Sequence, residues 1–159
     1  MPEGAGHVRE LAMTAEQRTE LTGRAVVLYD APCGLCNRFI GFCAKRDPVG
    51  RIRYVPQQSE LGRELLARYG ETPEALDAMA ILLEAMTPGE RFFHHSDAVA
   101  RALQMLRAPW SRVGRLVLWT PRWLREVVYA GVRRVRYAVF GRYAACPLPG
   151  AEIRSRFVG

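Results

Sequence analysis

The sequence predicts an α/β domain with a parallel β-α-β unit and an antiparallel edge, and three features support this. Short apolar runs alternate with segments of helical spacing over residues 23–107, which is typical of parallel strands joined by helices. Two further apolar runs lie on either side of a Pro-Gly turn and predict a hairpin. The 159 residues fit one domain, and their apolar share of 49% is enough for a core.

The first strand and the first helix have the clearest patterns. The run Ala25–Tyr29 is continuously apolar, as expected of a strand buried on both faces. After an Asp-Ala-Pro break, helical spacing of apolar residues begins at Cys33 and stops before Asp47. The sequence therefore predicts a strand directly followed by an amphipathic helix.

The remaining elements of the core complete the order β-α-β-α-β-β-α, which is that of a minimal thioredoxin fold. Ser59 and Thr72-Pro73 are typical helix starts, and Ser96-Asp97 predicts the cap of the last helix. In chain order we expect a strand over 52–55, helices over 59–69 and from 72, strands over 79–84 and 91–95, and a helix from 96.

The two ends of the chain are predicted to lie outside this core. Residues 1–22 are polar and lack a clean period, so we expect a flexible tail that is disordered or loosely helical. This segment does not resemble a signal peptide, and no run of 18 uncharged apolar residues predicts a transmembrane helix. We therefore expect a cytoplasmic protein.

Residues 108–159 are predicted to be a helical extension packed on the same domain, with helices over 110–119 and 120–141 and an irregular segment over 144–159.

The C-terminal extension is strongly basic. Residues 101–159 contain 12 arginines and two glutamates, a net charge of +10, whereas residues 1–100 carry a net charge of −3. Three interpretations are open: the solvated face of a helix packed on the sheet, a contact with an anionic membrane, and contacts with nucleic-acid phosphates. Aromatic residues interleaved with the arginines fit a membrane contact: Trp110, Trp119, Trp123, Tyr129 and Tyr137.

A stripe of apolar residues in the extension favours packing on the sheet, because these side chains need burial. The stripe consists of Leu124, Val127, Val128, Val132, Val135 and Val139. We therefore expect this stripe to face the core, and we do not expect nucleic-acid binding. The alternative to an enzyme is a binding module that attaches to an anionic membrane or an acidic partner through the extension.

Cys33 and Cys36 form a Cys-x-x-Cys pair where the first strand meets the first helix. At a helix N-terminus, unpaired backbone N–H groups and the helix dipole favour a thiolate, so Cys33 is the expected nucleophile. Cys36 lies one turn further on and is the expected resolving thiol. The pattern predicts a thiol-disulfide oxidoreductase acting on a disulfide-containing protein or a small thiol. Its redox group is the Cys33–Cys36 disulfide, and we expect no other cofactor.

Three further residues near this chemistry have open or structural roles. Asp30 either accepts a proton from Cys36 or caps the turn and helix through backbone N–H groups, and the two roles are compatible. Cys43 lies on the apolar side of its helix and is expected to be a buried hydrophobe. Cys146 is either a second resolving cysteine or a structural residue, and the sequence leaves both open.

A Cys/His zinc site is the chemical alternative. Structural zinc sites have four ligands, often from two cysteine pairs, and this chain has one such pair. His94, His95 and Cys146 are the other candidate ligands, but they lack the spacing of a second half-site. We therefore expect no metal ligands.

The string from Leu28 to Asn37, Leu-Tyr-Asp-Ala-Pro-Cys-Gly-Leu-Cys-Asn, resembles the DCC family of thiol-disulfide oxidoreductases, whose signature is Asp, Cys, Cys. Later stretches are similar to the family in the same order, so that the resemblance covers residues 25–147. These stretches are Tyr54-Val55-Pro56-Gln57-Gln58-Ser59, His95-Ser96-Asp97-Ala98, Val128-Tyr129, Arg136-Tyr137 and Phe140-Gly141-Arg142, followed by Cys146. The resemblance implies a thioredoxin-like fold with the two cysteines as redox centre.

Two positions depart from the patterns of related proteins. Ala31 stands where the family usually has glycine, and this change leaves the thiol chemistry intact. Thioredoxins proper carry a cis-proline before the third strand, facing the dithiol, whereas this chain has Asp77-Ala78 in that place. We therefore expect substrates to dock differently from those of thioredoxin.

Overall fold

The computed structural model describes residues 13–142 and 150–159, and its centre is a four-stranded sheet. The strands are β1 (Ala25–Tyr29), β2 (Ile52–Pro56), β3 (Ala80–Leu83) and β4 (Arg91–His94). They are arranged in the order β2-β1-β3-β4. Strands β1 and β2 are parallel, and β3 is antiparallel to both β1 and β4. This topology is the predicted β-α-β unit followed by a hairpin.

Six of the eight helices in the described residues follow the predicted order, and helices pack on both faces of the sheet. The eight are α1 (Ala15–Leu21), α2 (Gly34–Arg46), α3 (Glu60–Ala67), α4 (Pro73–Leu76), α5 (His95–Gln104), α6 (Trp110–Trp119), α7 (Arg122–Phe140) and α8 (Ala151–Arg154). The mixed α/β architecture is that of a thioredoxin-like fold with a helical extension, as predicted.

Alternate side chains of β1 enter two different cores, which explains why this strand is continuously apolar. Val27 and Tyr29 belong to a core shared with α2 and α5, which also contains Cys43. Val26 and Leu28 pack on the opposite face against buried leucines of α3. The sheet is therefore covered on both sides, and its first strand ends at the Cys-x-x-Cys segment.

Helix α1 lies within the segment that the sequence predicts to be a flexible tail. Thr14 and Gln17 form a reciprocal capping box at its start, and Leu21 at its end is fully buried in the core. This part of the segment is a component of the fold. Because α1 has only seven residues and only Leu21 among them is buried, its sequence shows no periodic apolar pattern. Residues 1–12 lie outside the described residues.

Two predicted details are wrong. Ser96 and Asp97 do not cap α5, because its N-cap is His94 and their side chains bond to Glu126 and Arg125 of α7 instead. The described part of the predicted irregular C-terminal segment contains α8, and its end lies along β2. There, the N–H of residue 158 donates to the Tyr54 carbonyl at 2.9 Å. These contacts join residues distant in sequence and leave no local signal.

The orientation of α7 is the largest departure from the sequence prediction. Its apolar stripe, expected to face the core, is exposed, and Val127 and Val139 keep 64% and 67% of their surface accessible. The side of α7 turned toward the domain is polar. It carries Arg125, Glu126, Tyr129, Arg133, Arg136 and Tyr137. The polar side faces inward because the loops around β1, β3 and α5 offer carboxylate, hydroxyl and backbone partners there.

Candidate active site

The Cys-x-x-Cys pair lies at the start of α2, immediately after β1. Cys33 is the N-cap of α2, and its Sγ accepts a hydrogen bond from the backbone N–H of Cys36 at 3.3 Å. The cap therefore directs a helix N–H group at the sulfur, as predicted for a thiolate at this position. Cys33, Cys36 and Cys43 are all free thiols in this structure.

The two thiols have opposite electrostatic environments. The pKa of Cys33 is lowered to about 6, chiefly because the Cys36 thiol donates a hydrogen bond to it, with further help from the Cys36 backbone N–H and Arg136. Burial and Asp30 act against this shift. The pKa of Cys36 is raised because its proton is held by Cys33 and because it is desolvated. The pair therefore carries a thiolate on Cys33 and a thiol on Cys36 near neutral pH.

Cys33 is buried beside the backbone that follows α7. The residue is 0% exposed, whereas Cys36 is partly exposed. The backbone N–H of Gly34 donates to the carbonyl of Gly141 at 3.2 Å, and Cys33 forms an antiparallel bridge with Arg142. The reactive thiolate is thus the enclosed member of the pair, and its partner is the more accessible one.

Arg136 provides the positive charge beside the dithiol. It is 3% exposed, and its Nη1 lies 3.9 Å from Sγ of Cys36. Its Nη2 lies 2.6 Å from Oδ1 of Asp77 and 3.4 Å from Oδ2 of Asp30. Among the described residues, Nε of Arg136 is buried without a hydrogen-bond partner. A buried guanidinium with two carboxylate partners keeps its charge and favours a neighbouring thiolate.

Asp30 lies at the other end of this network. Gln58 donates to its Oδ1 at 2.7 Å, and Tyr137 and Arg136 approach its Oδ2. In the described residues the carboxylate bonds to these side chains and not to backbone N–H groups, so the predicted capping role is not seen. Asp30 contacts Arg136, and Arg136 in turn contacts Cys36.

Asp77 precedes β3, where we expect from the sequence the position of the thioredoxin proline. Its backbone is in the left-handed region with φ of 41°, and its carboxylate accepts the short hydrogen bond from Arg136. Nearby, Gln57 donates to the Leu28 and Ala78 carbonyls at 3.0 and 2.5 Å and so joins the ends of β1 and β3. The departure noted in the sequence therefore supplies an ionic partner beside the dithiol.

An apolar groove of about 460 Å³ opens next to Cys36. It lies between α2, α5, α6 and α7, and most of its wall is apolar. The lining includes Leu35, Phe39, Val99, Val117, Val128 and Val132. Arg133 and Arg136 are among its polar members. Cys33 does not line this groove, so a bound molecule reaches Cys36 first.

The other sequence candidates lie apart from the dithiol or outside the described residues. Cys43 is in the core, where burial raises its pKa to about 12. Cys146 lies outside the described residues. His95 bonds through Nδ1 to Glu126 at 3.2 Å. In the part of the chain that the structure describes, no group of three or more His, Cys, Asp or Glu side chains is placed to hold a metal ion.

Sequence reasoning missed three side chains of this network: Gln58, Arg136 and Tyr137. Arg136 lies 100 positions after Cys36, so no spacing rule connects them. All three nevertheless belong to stretches that carry the family resemblance, and that was the available signal. Polar residues that recur in stretches far apart in the sequence indicate that these stretches come together in the folded protein.

The fold and the site together define a thioredoxin-like protein with a Cys-x-x-Cys dithiol at the start of its first core helix. The family model of the DCC1-like thiol-disulfide oxidoreductases matches residues 27–142. This chain belongs to that family, as the sequence resemblance indicated, and the family suggests a redox function for the dithiol. None of the helices in the described residues is long and apolar enough to cross a bilayer.

Two relatives agree with this assignment. The Bacillus subtilis protein named "Uncharacterized protein YuxK" is 33% identical over 146 residues, which cover 92% of this chain and 99% of that protein. The "DCC family protein At1g52590, chloroplastic" of Arabidopsis thaliana is 31% identical over 125 residues, which cover 79% of this chain and 70% of that protein. No solved structure is significantly similar to the chain.

Proposed function

We propose that this protein exchanges disulfides with a protein or small-thiol substrate, with Cys33 as nucleophile and Cys36 as resolving thiol. The observation that carries this proposal is the position of Cys33 at the N-cap of α2, where its Sγ accepts a hydrogen bond from the backbone N–H of Cys36. The Cys36 thiol and this N–H lower the pKa of Cys33 to about 6. A thiolate near neutral pH beside a protonated partner is the arrangement that thiol-disulfide exchange requires.

The reaction has two balanced exchange steps. The Cys33 thiolate attacks one sulfur of a substrate disulfide, which forms a mixed disulfide and releases one substrate thiolate. Cys36 then gives up its proton to that thiolate or to water, attacks Cys33 Sγ and releases the second substrate thiolate. The substrate disulfide gains two electrons and the dithiol loses them. Exchange with a second dithiol in the reverse sense restores the reduced protein.

Asp30, a candidate catalytic residue of the sequence, fits a positioning role through Arg136 and Tyr137 better than direct proton acceptance. Its carboxylate contacts both of these side chains, whereas Arg136 is the group that approaches the Cys36 sulfur. We propose that Asp30 holds Arg136, and that Arg136 stabilises the thiolate formed when Cys36 loses its proton.

Cys33 is fully buried, and residues 141–142 lie against Cys33 and Gly34, so we propose that a substrate disulfide reaches Cys33 when this segment moves away from α2. We propose that the substrate segment beside the attacked disulfide is apolar, since the groove next to Cys36 has an apolar wall. An apolar segment in this groove would place its disulfide beside the pair.

The test uses the full chain with glutathione disulfide and with a peptide disulfide flanked by apolar residues. We expect the reduced protein to reduce both, and the peptide faster. Cys33→Ser should abolish turnover, and Cys36→Ser should trap a mixed disulfide that mass spectrometry detects. Cys43→Ser is the matched control, because Cys43 lies in the core away from the groove. Unchanged turnover in Cys33→Ser would overturn the proposal.

A further inference from the structure

We propose that the outward side of α7, together with the end of α6, docks on the surface of an anionic lipid bilayer. This docking face consists of Trp119, Trp123, Leu124, Val127, Val128, Val132, Val135 and Val139. The proposal rests on the exposure and charge of these residues and not on the sulfur chemistry.

The docking face is a continuous apolar surface and not a set of scattered residues. Helix α7 has 19 residues, so it is about 28 Å long at 1.5 Å per residue. At 100° per residue, its exposed apolar positions fall within one half of the helix circumference. Trp119 and Trp123 are 90% and 69% exposed at one end of this surface. Contiguous patches of this kind on a folded domain mark interaction surfaces.

The outward orientation of these valines is fixed by bonds on the other side of α7. Arg125 Nη1 lies 2.7 Å from Asp97, and Arg136 Nη2 lies 2.6 Å from Asp77. The Met79 backbone N–H donates to the Tyr129 hydroxyl at 3.1 Å. Rotating α7 to bury its valines would break these contacts and bury charges without partners. The apolar face can therefore be buried only by contact with another molecule.

Charge identifies the kind of surface. Arg134 lies on the exposed side of α7, and Arg112, Arg115 and Arg122 are exposed nearby, within a region of net charge +10. Helices with tryptophan and aliphatic residues on one side and arginine alongside lie in the interface of bilayers. Each arginine near an anionic leaflet adds about 1 kcal/mol of attraction. The combination fits anionic lipid.

A second copy of this chain fits the docking face less well. A symmetric dimer would place the same surface patch against itself and so bring the exposed arginines around the patch of one copy close to those of the other. Repulsion between these like charges disfavours association of the two copies. An anionic bilayer instead supplies negatively charged headgroups for the arginines and, beneath them, an apolar layer for the valines and tryptophans.

Docking in this orientation would also turn the groove toward the lipid. Leu124, Val128 and Val132 belong both to the docking face and to the groove wall that includes Cys36. A bilayer contact would therefore place the groove entrance close to the membrane surface.

The experiment measures binding of the reduced full chain to vesicles by sedimentation and by tryptophan fluorescence. We expect binding to phosphatidylcholine vesicles that contain phosphatidylglycerol, with a blue-shifted tryptophan emission. Binding should be weak to phosphatidylcholine alone and should fall as salt is raised. The double substitution Trp119→Ser with Trp123→Ser should reduce binding at least tenfold. Arg134→Glu changes the charge by two units and should reduce binding about thirtyfold at low salt, in line with about 1 kcal/mol per unit of charge.

Matched controls lie away from the docking face. Val49→Ser changes an apolar residue that is 72% exposed after α2, and Arg63→Glu reverses an exposed charge on α3. Both should bind vesicles like the unmodified chain. Absence of sedimentation with anionic vesicles at low salt, or equal losses in face and control variants, would overturn the proposal. So would dimerisation abolished by the tryptophan substitutions without any vesicle binding, since the face would then be a protein interface.

Discussion

Arg136 brings its guanidinium to 3.9 Å from the sulfur of Cys36, although 100 positions separate the two residues in the chain. This contact joins the C-terminal extension to the dithiol at the start of α2. It depends on α7 turning its polar side toward the domain. The orientation that exposes the valines is therefore the same one that delivers the arginine to the site.

The reactivity of Cys33 should titrate near pH 6. Above this pKa, Cys33 is a thiolate and reacts, and below it the protonated sulfur loses reactivity. The measurement is the rate of iodoacetamide alkylation at Cys33 against pH, followed by mass spectrometry. Cys36→Ala removes the donor with the largest effect, so the midpoint should rise toward the ordinary value of about 8.5. Cys36→Ser keeps a hydroxyl donor and should shift it less. Equal midpoints in all three proteins would contradict the role of Cys36.

Removing the charge of Arg136 should destabilise the protein and weaken the thiolate. Arg136→Gln leaves the buried Asp30 carboxylate without its cation, which typically costs about 3–5 kcal/mol when a buried pair is broken. It should also raise the pKa of Cys33, because Arg136 helps to lower it. Urea unfolding and the alkylation profile measure the two effects.

The matched control for this substitution is Arg134→Gln, two positions earlier on the exposed side of α7. A surface change of this kind should alter the free energy of unfolding by less than about 0.5 kcal/mol. If Arg136→Gln were equally mild, the buried ionic network would not contribute to stability.

Gly34→Ala should open the cover over Cys33. A Cβ at this position would lie 2.2 Å from the carbonyl oxygen of Phe140, so the end of α7 must move away. We expect alkylation of Cys33 to become severalfold faster, with a loss of stability of about 1–3 kcal/mol. Gly41→Ala in the same helix meets no atom within 4 Å. It should leave alkylation unchanged and stabilise the helix by about 0.5–1 kcal/mol. Similar alkylation rates in both variants would show that residues 140–142 do not limit access.

The Cys33–Cys36 couple should be more oxidising than thioredoxin. Stabilising the Cys33 thiolate stabilises the reduced protein and so raises the reduction potential. With a pKa of about 6, we expect a potential above the thioredoxin value of about −270 mV and below the DsbA value of about −120 mV. Equilibration with glutathione buffers and thiol labelling measure it. A value at or below that of thioredoxin would mean that the thiolate is not stabilised in solution.

Much of the core followed from local patterns. The continuous run of β1, the helical spacing of α2 and the hairpin of β3 and β4 were all visible, because strand and helix periodicity depend on near neighbours. The bounds of α6 were predicted to the residue, since Pro109 and Thr120 flank it. The compartment and the domain boundaries stay predictions.

The orientation of α7 could not be derived from its own sequence. An amphipathic pattern shows that one side is apolar, but it does not say which surface will cover that side. Here the polar side had stronger partners inside the domain, in Asp97, Asp77 and Asp30. The prediction that the valines face the sheet was wrong because it counted only hydrophobic burial.

The sequence by itself determined the fold class, the family and the position of the dithiol, since each depends on residues close together or on motifs in a fixed order. Only the tertiary structure decided that Cys33 is buried beside the backbone that follows α7 and that Cys36 borders the groove. It also decided that Arg136, Asp77 and Asp30 share one ionic network beside the sulfurs. The physical reason is that enclosure and charge pairing depend on which distant surfaces meet when the chain closes.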